Sequence, residues 1–315
     1  MKPSLSFVGI DVSKDSLDVA RRPEVEHRKF AYDADGLKAL LDTLKSWGPV
    51  FVVVEATGGL ERALVAELVA AGIDLAVLNP RQVRDFARGV GKIAKSDPID
   101  ADVLARFAEV VQPPPSEKVP EKQRELQELV ARRQQLVAFR VAEINRQGTA
   151  SAKLARRSLE KMLKTINTQI DDLDAAIAKL VRADDDWQRK ADLLKSVPGV
   201  GDITSHNLVG VLPELGKLNR EQIVALAGLA PYNHDSGKLK GKRSISGGRA
   251  EVRQTLYMAA LSARNDNPTI RRFAQRLEAT EKPFKVVMTA CMRKLLVILN
   301  TLVKNDTLWR CPATT

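Results

Sequence analysis

Residues 50–55 read Val-Phe-Val-Val-Val-Glu: five apolar, mostly β-branched residues closed by one carboxylate. A run that is apolar at every position suits a central strand covered on both faces, because such a strand has no solvent-facing row to keep polar. The segments on either side of it alternate in period. Upstream, Phe7–Val12 is a second short apolar run ending in a charged turn, Ser16–Ala20 alternates as a half-buried strand does, and His27–Tyr32 reads as a third strand of the same meander. Asp35–Ser46 carries apolar residues at 37, 40, 41 and 44, a helical stripe opened by an acidic cap. Downstream, Gly58-Gly59 leads into a helix over Leu60–Ala71, Asp74–Leu78 is another buried strand, and Gln82–Phe86 and Asp97–Val110 read as helices.

The resulting order is three strands, helix, strand, helix, strand, helix, which is that of an α/β ribonuclease H-like (RuvC-like) domain. In such a sheet the first and fourth strands are neighbours. Asp11, closing the first, and Glu55, closing the fourth, then converge on one end of the sheet. Asp97 and Asp100 stand three apart at the start of the last helix and share one of its faces. Four carboxylates in one place repel one another unless cations neutralise them. Hard oxygen donors suit Mg²⁺, and two ions about 4 Å apart clamp both oxygens of a phosphoryl displacement. Each acid also has a structural alternative. Asp11 fits a turn residue, and Asp97 before Pro98 fits an N-cap with proline at the first helical position. Asp102 competes with Asp100 for the ligand role, but its spacing from Asp97 points it off that face. The joint pattern carries the metal reading.

The chain has 315 residues and a net charge of +11, with a pI near 9.7. At roughly 100–200 residues per domain this predicts two domains, or three counting a linker. The charge is unevenly spread: residues 1–112 net −2, residues 113–192 net +3 and residues 193–315 net +10. Pro113, Pro114, Pro115 and Pro120 mark the first break. The basic last third predicts a polyanionic partner. Aromatics, at 4%, are too few for base-stacking platforms or carbohydrate-stacking surfaces. Cys291 and Cys311 have no metal-ligand spacing, which suggests a reducing cytoplasm. Charged residues interrupt the first twenty positions, and no apolar run approaches about 18 residues, so secretory and membrane roles are not expected.

In the middle segment Leu159, Leu163, Ile166, Ile170, Leu173, Ile177 and Leu180 repeat at spacings of four and three, a coiled-coil seam. Leu126, Leu129, Leu136, Val137, Val141 and Ile144 form a looser stripe before it, predicting an antiparallel hairpin or a dimer contact. The stretch Arg132–Lys164 is strongly basic and fits a nucleic-acid backbone as well as a solvated face. In the last segment Pro198-Gly199-Val200-Gly201 within Ser196–Leu208 reads as a helix-hairpin-helix element, whose helix N-terminus meets phosphate without reading sequence. Ile223–Ala230, Val252–Ala263 and Phe284–Leu302 predict a helical bundle. Between its helices, Asp235–Arg243 alternates lysine with small residues. Lys238, Lys240, Lys242, Arg243, Arg249 and Arg253 are the candidate nucleic-acid contacts. Ser236, Ser244 and Ser246 are all candidate nucleophiles; a serine needs a base or a metal to attack phosphate.

These motifs together resemble one family. Asp11 in Val-Gly-Ile-Asp-Val-Ser-Lys, Glu55 in Val-Glu-Ala-Thr-Gly and Lys-Ser-Asp-Pro-Ile-Asp-Ala at 95–101 are similar to the signature of DEDD-type insertion-sequence transposases, with which Piv-type invertases belong. Val-Pro-Gly-Val-Gly at 197–201, Leu-Ala-Gly-Leu-Ala-Pro at 226–231, Asp-Ser-Gly at 235–237 and Leu-Tyr-Met at 256–258 extend the resemblance over nearly the whole chain. It implies a RuvC-like catalytic domain (1–112), a coiled-coil linker (113–192) and a mainly helical transposase domain (193–315). It further implies Asp11, Glu55, Asp97 and Asp100 as catalytic metal ligands, Ser236 as the reactive serine and a phosphoserine–DNA intermediate. A structured, element-encoded guide RNA, active sites shared between protomers of a tetramer, and work at the prokaryotic nucleoid follow from the same resemblance.

The expected activity is therefore a Mg²⁺-dependent DNA recombinase that mobilises its own element. A junction-resolving nuclease on the same fold, in which water attacks and Ser236 is only a loop residue, is the main alternative. A sugar or acetate kinase of actin-like fold is disfavoured, because Asp11-Val12-Ser13-Lys14 lacks the glycine of a phosphate loop and no second copy of the fold follows. A nucleic-acid-binding protein with an inert acidic cluster would show no metal effect on DNA.

Overall fold

The computed structural model describes residues 5–91, 97–116, 119–232, 241 and 243–311. They fall into two units, residues 1–119 and 120–315. The first contains β1 (Ser6–Val12), β2 (Ser16–Arg22), β3 (Glu26–Ala31), α1 (Ala34–Ser46), β4 (Val50–Glu55), α2 (Glu61–Ala70), β5 (Asp74–Leu78), α3 (Pro80–Gly89) and α4 (Asp97–Val111). The sheet runs β3-β2-β1-β4-β5, with β1–β2 and β2–β3 antiparallel and β1–β4 and β4–β5 parallel. This is a ribonuclease H-like α/β fold.

Local chemistry starts the helices where they start. Asp33 caps α1 by accepting from the Gly36 amide at 2.8 Å, and Asn79 caps α3 by accepting from Arg81 at 2.9 Å, with Pro80 at the first position. Strand alternation then sorts the sheet's two faces. Val8, Ile10, Val52 and Val54 pack with Leu40 and Leu44 of α1 and Leu64 and Leu68 of α2. Phe51, Val53, Ala76 and Leu78 face the other way, onto Val83 of α3 and Val103, Leu104 and Phe107 of α4. Burying one such side chain contributes about 1.5–3 kcal/mol, so each face holds its helices firmly.

The second unit comprises α5 (Glu121–Thr149), α6 (Lys153–Arg182), α7 (Asp185–Lys195), α8 (Asp202–Val211), α9 (Arg220–Leu226), β6 (Pro231–Tyr232), β7 (Ser244–Ile245), α10 (Ala250–Asp266), α11 (Pro268–Glu278) and α12 (Phe284–Asn305). Its core threads Leu126 and Val130 of α5, Ile177 and Val181 of α6, Leu194, Leu208, Ile223, Leu256 and Ile270, all gathered on α12 through Val287, Cys291, Leu295 and Leu299. By length and composition alone α12 passes as a membrane span, but its buried stripe is the centre of this core. Asn300 on α12 fixes the chain before α9, accepting from Gly216 and donating to the Leu218 carbonyl.

The packing unit begins at residue 120, whereas composition places a separate linker at 113–192. The difference has a physical cause. The base of the α5–α6 hairpin buries Leu126, Val130, Ile177 and Val181 in the same core as the later helices. Only its outer part stands apart, closed by Leu136, Ile166 and Ile170.

Candidate active site

Asp11 and Glu55 are brought together by the parallel register of β1 and β4. Ile10 pairs with Val54, so the two acids stand side by side one step further along. Because their even-numbered neighbours pack under α1 and α2, Asp11 and Glu55 project on the opposite face, the one α4 covers. There α4 comes down to contact distance. A Cβ on Gly9 would stand 2.2 Å from the Ala101 carbonyl oxygen and 2.3 Å from the Ala105 nitrogen, an approach only glycine permits. Asp100, half-buried and next to Ala101, is thereby held over the part of β1 that carries Asp11. Asp97 opens α4 one turn earlier, and its side chain lies outside the described residues.

Among the described residues no three acidic, histidine or cysteine side chains gather closely enough to hold a metal ion. The donors the sheet assembles are nonetheless carboxylate oxygens only, the chemistry that a hard divalent cation takes. Asp102 points elsewhere: Arg22 of β2 donates to it through Nη2 at 2.7 Å and Nε at 3.2 Å, which ties α4 to the sheet. A further carboxylate escaped the sequence reading. Asp18 lies directly opposite Asp11 in the β1–β2 ladder, is only 6% exposed, and pairs with Lys29 of β3 at 3.1 Å. Like charges facing each other across a ladder are unfavourable, and Lys29 offsets this one. The available signal was an acid inside the alternating run Ser16–Ala20, but its face depends on register.

In the second unit, β6 and β7 form a two-stranded ladder that pairs Tyr232 with Ser244. The chain leaves at Tyr232 and returns beside it, so the segment carrying Ser236 is closed at its base. Ser236, Lys238, Lys240 and Lys242 lie outside the described residues. Arg243 and Ser244 are exposed, and Ser246 is half-buried. Below the ladder two glycine pairs meet backbone to backbone. Gly228 has φ +67°, and a Cβ there would stand 2.1 Å from the Gly247 carbonyl oxygen; a Cβ on Gly248 would stand 2.1 Å from the Gly228 nitrogen.

Arg249 and Arg253, two of the candidate nucleic-acid contacts, also hold this base. Arg253 donates to the Gly247 carbonyl at 2.5 Å and the Ala227 carbonyl at 3.3 Å. Arg249 grips both oxygens of Glu214, at 2.6 and 2.7 Å, and the Val211 carbonyl at 3.0 Å. Burial pushes the Glu214 carboxyl up, but the hydrogen bond and charge of Arg249 outweigh it and hold it below the usual carboxylate value. A depressed folded-state pKa contributes stability above the ordinary carboxylate range that is lost as pH falls through the folded value. Arg249→Ala should therefore lower the thermal midpoint most at pH 7, and the gap from wild type should narrow below about pH 4. Melting curves from pH 7 to 3 check this; a gap that stays constant with pH would remove Glu214 from the account.

The hairpin expected at 198–201 joins α7 to α8, its turn closed by the Val200 amide on the Val197 carbonyl at 3.0 Å. Gly199, at φ +94°, packs on Ala263 of α10. The start of α8 is open at Gly201, with Asp202 in its first turn paired to Lys195 at 2.5 Å. That hydrogen bond holds the Asp202 carboxyl below its ordinary value.

Comparison with known proteins adds the following. Residues 8–149 match a family model described as a transposase, of the DEDD type, and residues 191–275 match one described as the transposase IS116/IS110/IS902 family. The chain is 25% identical over 313 residues to the pilin gene-inverting proteins of Moraxella bovis and Moraxella lacunata, spanning 96% of this chain and 97% of theirs. It is 28% identical over 173 residues to an insertion element IS900 uncharacterized 42 kDa protein of Mycobacterium paratuberculosis, covering 54% of this chain and 41% of that one.

Proposed function

Because the chain belongs to the IS110-type DEDD transposases, and is therefore a DNA transposase or recombinase, we propose that it cuts and rejoins DNA at insertion-element ends and targets by a Mg²⁺-dependent serine mechanism. The observation that carries this reading is the parallel register that ends at Ile10 and Val54, which sets Asp11 and Glu55 at neighbouring strand ends beneath a helix that brings in Asp100. Asp11, Glu55, Asp97 and Asp100 would hold Mg²⁺, one ion or two, which when bound offsets charge on the scissile phosphate and favours the alkoxide of an attacking hydroxyl.

Ser236 is the nucleophile. Its Oγ forms a bond to phosphorus while the bond from phosphorus to one bridging sugar oxygen breaks, and the proton lost by the serine ends on the departing oxygen. The reverse attack by the hydroxyl of a second strand releases Ser236 and rejoins the DNA. Lys238, Lys240, Lys242 and Arg243 neutralise the phosphates on either side, and Arg249 and Arg253 hold the loop's base against that load. Segment 1–112 supplies the carboxylates, 113–192 a coiled-coil linker and 193–315 the serine and most of the positive charge. A structured guide RNA supplies sequence choice by base pairing, a division of labour that leaves the protein to read backbone and shape; the net +10 of residues 193–315 supports a polyanionic partner. The outer α5–α6 hairpin leaves Phe139, Val141, Ile144, Leu154 and Met162 exposed, apolar side chains that a second copy would cover in a dimer or tetramer. Such an enzyme works at the nucleoid, in the prokaryotic cytoplasm.

The test is a covalent-adduct assay. Protein made in cells carrying its flanking DNA is mixed with labelled element-end DNA and Mg²⁺, and run on denaturing gels. A Mg²⁺-dependent protein–DNA band from wild type, absent in Ser236→Ala, is the expected result. Free cleaved DNA from both proteins with no adduct would replace this mechanism by the water-attacking junction nuclease.

A further inference from the structure

Helices α11 and α12 carry cations for which the recombination chemistry has no use. The Lys294 ammonium lies 4.4 Å from the centroid of the Phe273 ring, and the Arg276 guanidinium lies 5.3 Å from the same centroid. The ring attracts each cation, yet the two repel one another. Phe273 is half-buried against the core, so the platform is fixed and both charges are pinned beside it. Arg272, exposed and one turn before Arg276, shares that face of α11.

Among the described residues none of these three cations forms an ion pair, and the neighbouring acid, Glu278, is already taken by Arg264 at 2.5 Å. Burial first, then the charge of Arg276, pushes the Lys294 ammonium below its ordinary value. On the preceding residue of α12, the buried Nε of Arg293 has no hydrogen-bond partner among the described residues. Like charges gathered on a rigid platform lower the stability of the free protein. The arrangement is favourable once an anion arrives from outside.

We propose that Arg272, Arg276 and Lys294 on α11 and α12 form a docking surface for the phosphodiester backbone of duplex DNA. This rests on the chain being a DNA recombinase, but not on Ser236 or the carboxylates. The surface lies on elements other than the serine loop, so it holds duplex independently of bond breakage.

The experiment measures binding of the full chain to a fluorescent duplex of arbitrary sequence, in EDTA so that no cleavage contributes, across a salt series. Each phosphate contact contributes about 0.9 to the slope of log affinity against log salt. Arg276→Gln/Lys294→Gln should lower that slope by about 1.8, and Arg272→Gln alone by about 0.9. Arg276→Lys/Lys294→Arg should keep the wild-type slope. Arg189→Gln, a surface cation paired with Asp306, is the control for general charge loss. Should the double variant melt early, the exposed Arg272→Gln carries the test. A slope unchanged in Arg272→Gln and the double variant, a loss no greater than that of Arg189→Gln, or a loss seen only with structured RNA would each overturn the docking surface. So would a wild-type chain that binds no duplex. Loss of the Ser236 adduct mechanism with these slopes intact would instead count against the proposed chemistry alone.

Discussion

Asp11→Asn and Glu55→Gln should each cut strand transfer by about 10³-fold or more while leaving duplex binding in EDTA unchanged. Both substitutions keep the shape of the side chain and remove only its charge, so packing on the α4 face is retained. What disappears is an anionic oxygen on one of two adjacent strand ends, and a divalent cation is held there only if enough negative oxygens converge. Asp11 also faces Asp18 across the β1–β2 ladder. Asp102→Asn, on the helix that covers Asp11 and Glu55, provides the contrast. Its carboxylate is committed to Arg22 at 2.7 Å, so its loss should fall on the melting temperature and spare the rate at temperatures where the fold is intact. Gel assays of strand transfer beside melting curves separate the two outcomes. Full activity in both amide variants would move the metal ligands off this sheet end.

The sheet was legible because β1, β4 and β5 are short apolar runs and β2 alternates. Asp74–Leu78 begins and ends where the pattern puts it, and Val50–Glu55 runs one residue past the expected end at Val54. Strand order then suffices to bring Asp11 beside Glu55, since that neighbourhood follows from topology and not from any one contact. Asp18 was not legible, because its face depends on a register that pairs it with Asp11. Two helices went unread. In α7 three aspartates, Asp184, Asp185 and Asp186, open the helix before its apolar positions begin, and in α11 only Ile270 and Ala274 are buried, too sparse a stripe to show a period. The ladder of β6 and β7 spans two residues per strand, below any periodicity. That Arg249 and Arg253 also brace the base of the basic loop was not legible. Their partners, Glu214, Val211 and the Ala227 and Gly247 carbonyls, show only after α9 and α10 fold against each other.

Gly9→Val should cost the first unit much of its stability. The atoms that a side chain at residue 9 would meet are the Ala101 carbonyl at 2.2 Å, the Ala105 nitrogen at 2.3 Å and the Leu104 Cβ at 2.7 Å. Two of the three are helix backbone, which cannot rotate away as a side chain would. Helix α4 must then lift off β1, and it takes with it Leu104 and Phe107, which pack on Phe51 and Val53. Overpacking a core typically costs about 1–3 kcal/mol, and displacement of a whole helix belongs at or above the top of that range. At about 4 °C or more per kcal/mol for a unit of this size, a fall of roughly 10 °C in the first unit's melting transition is expected. The β-branched valine should be worse than alanine. Gly89→Ala is the matched control, since a Cβ there meets nothing within 4 Å, and it should melt as wild type or slightly higher. The same lift separates Asp100 from Asp11, so strand transfer by Gly9→Ala should fall even at temperatures where the unit remains folded. Wild-type melting and wild-type activity in Gly9→Val would mean that α4 does not lie on β1, and the argument that joins Asp100 to Asp11 and Glu55 would fail with it.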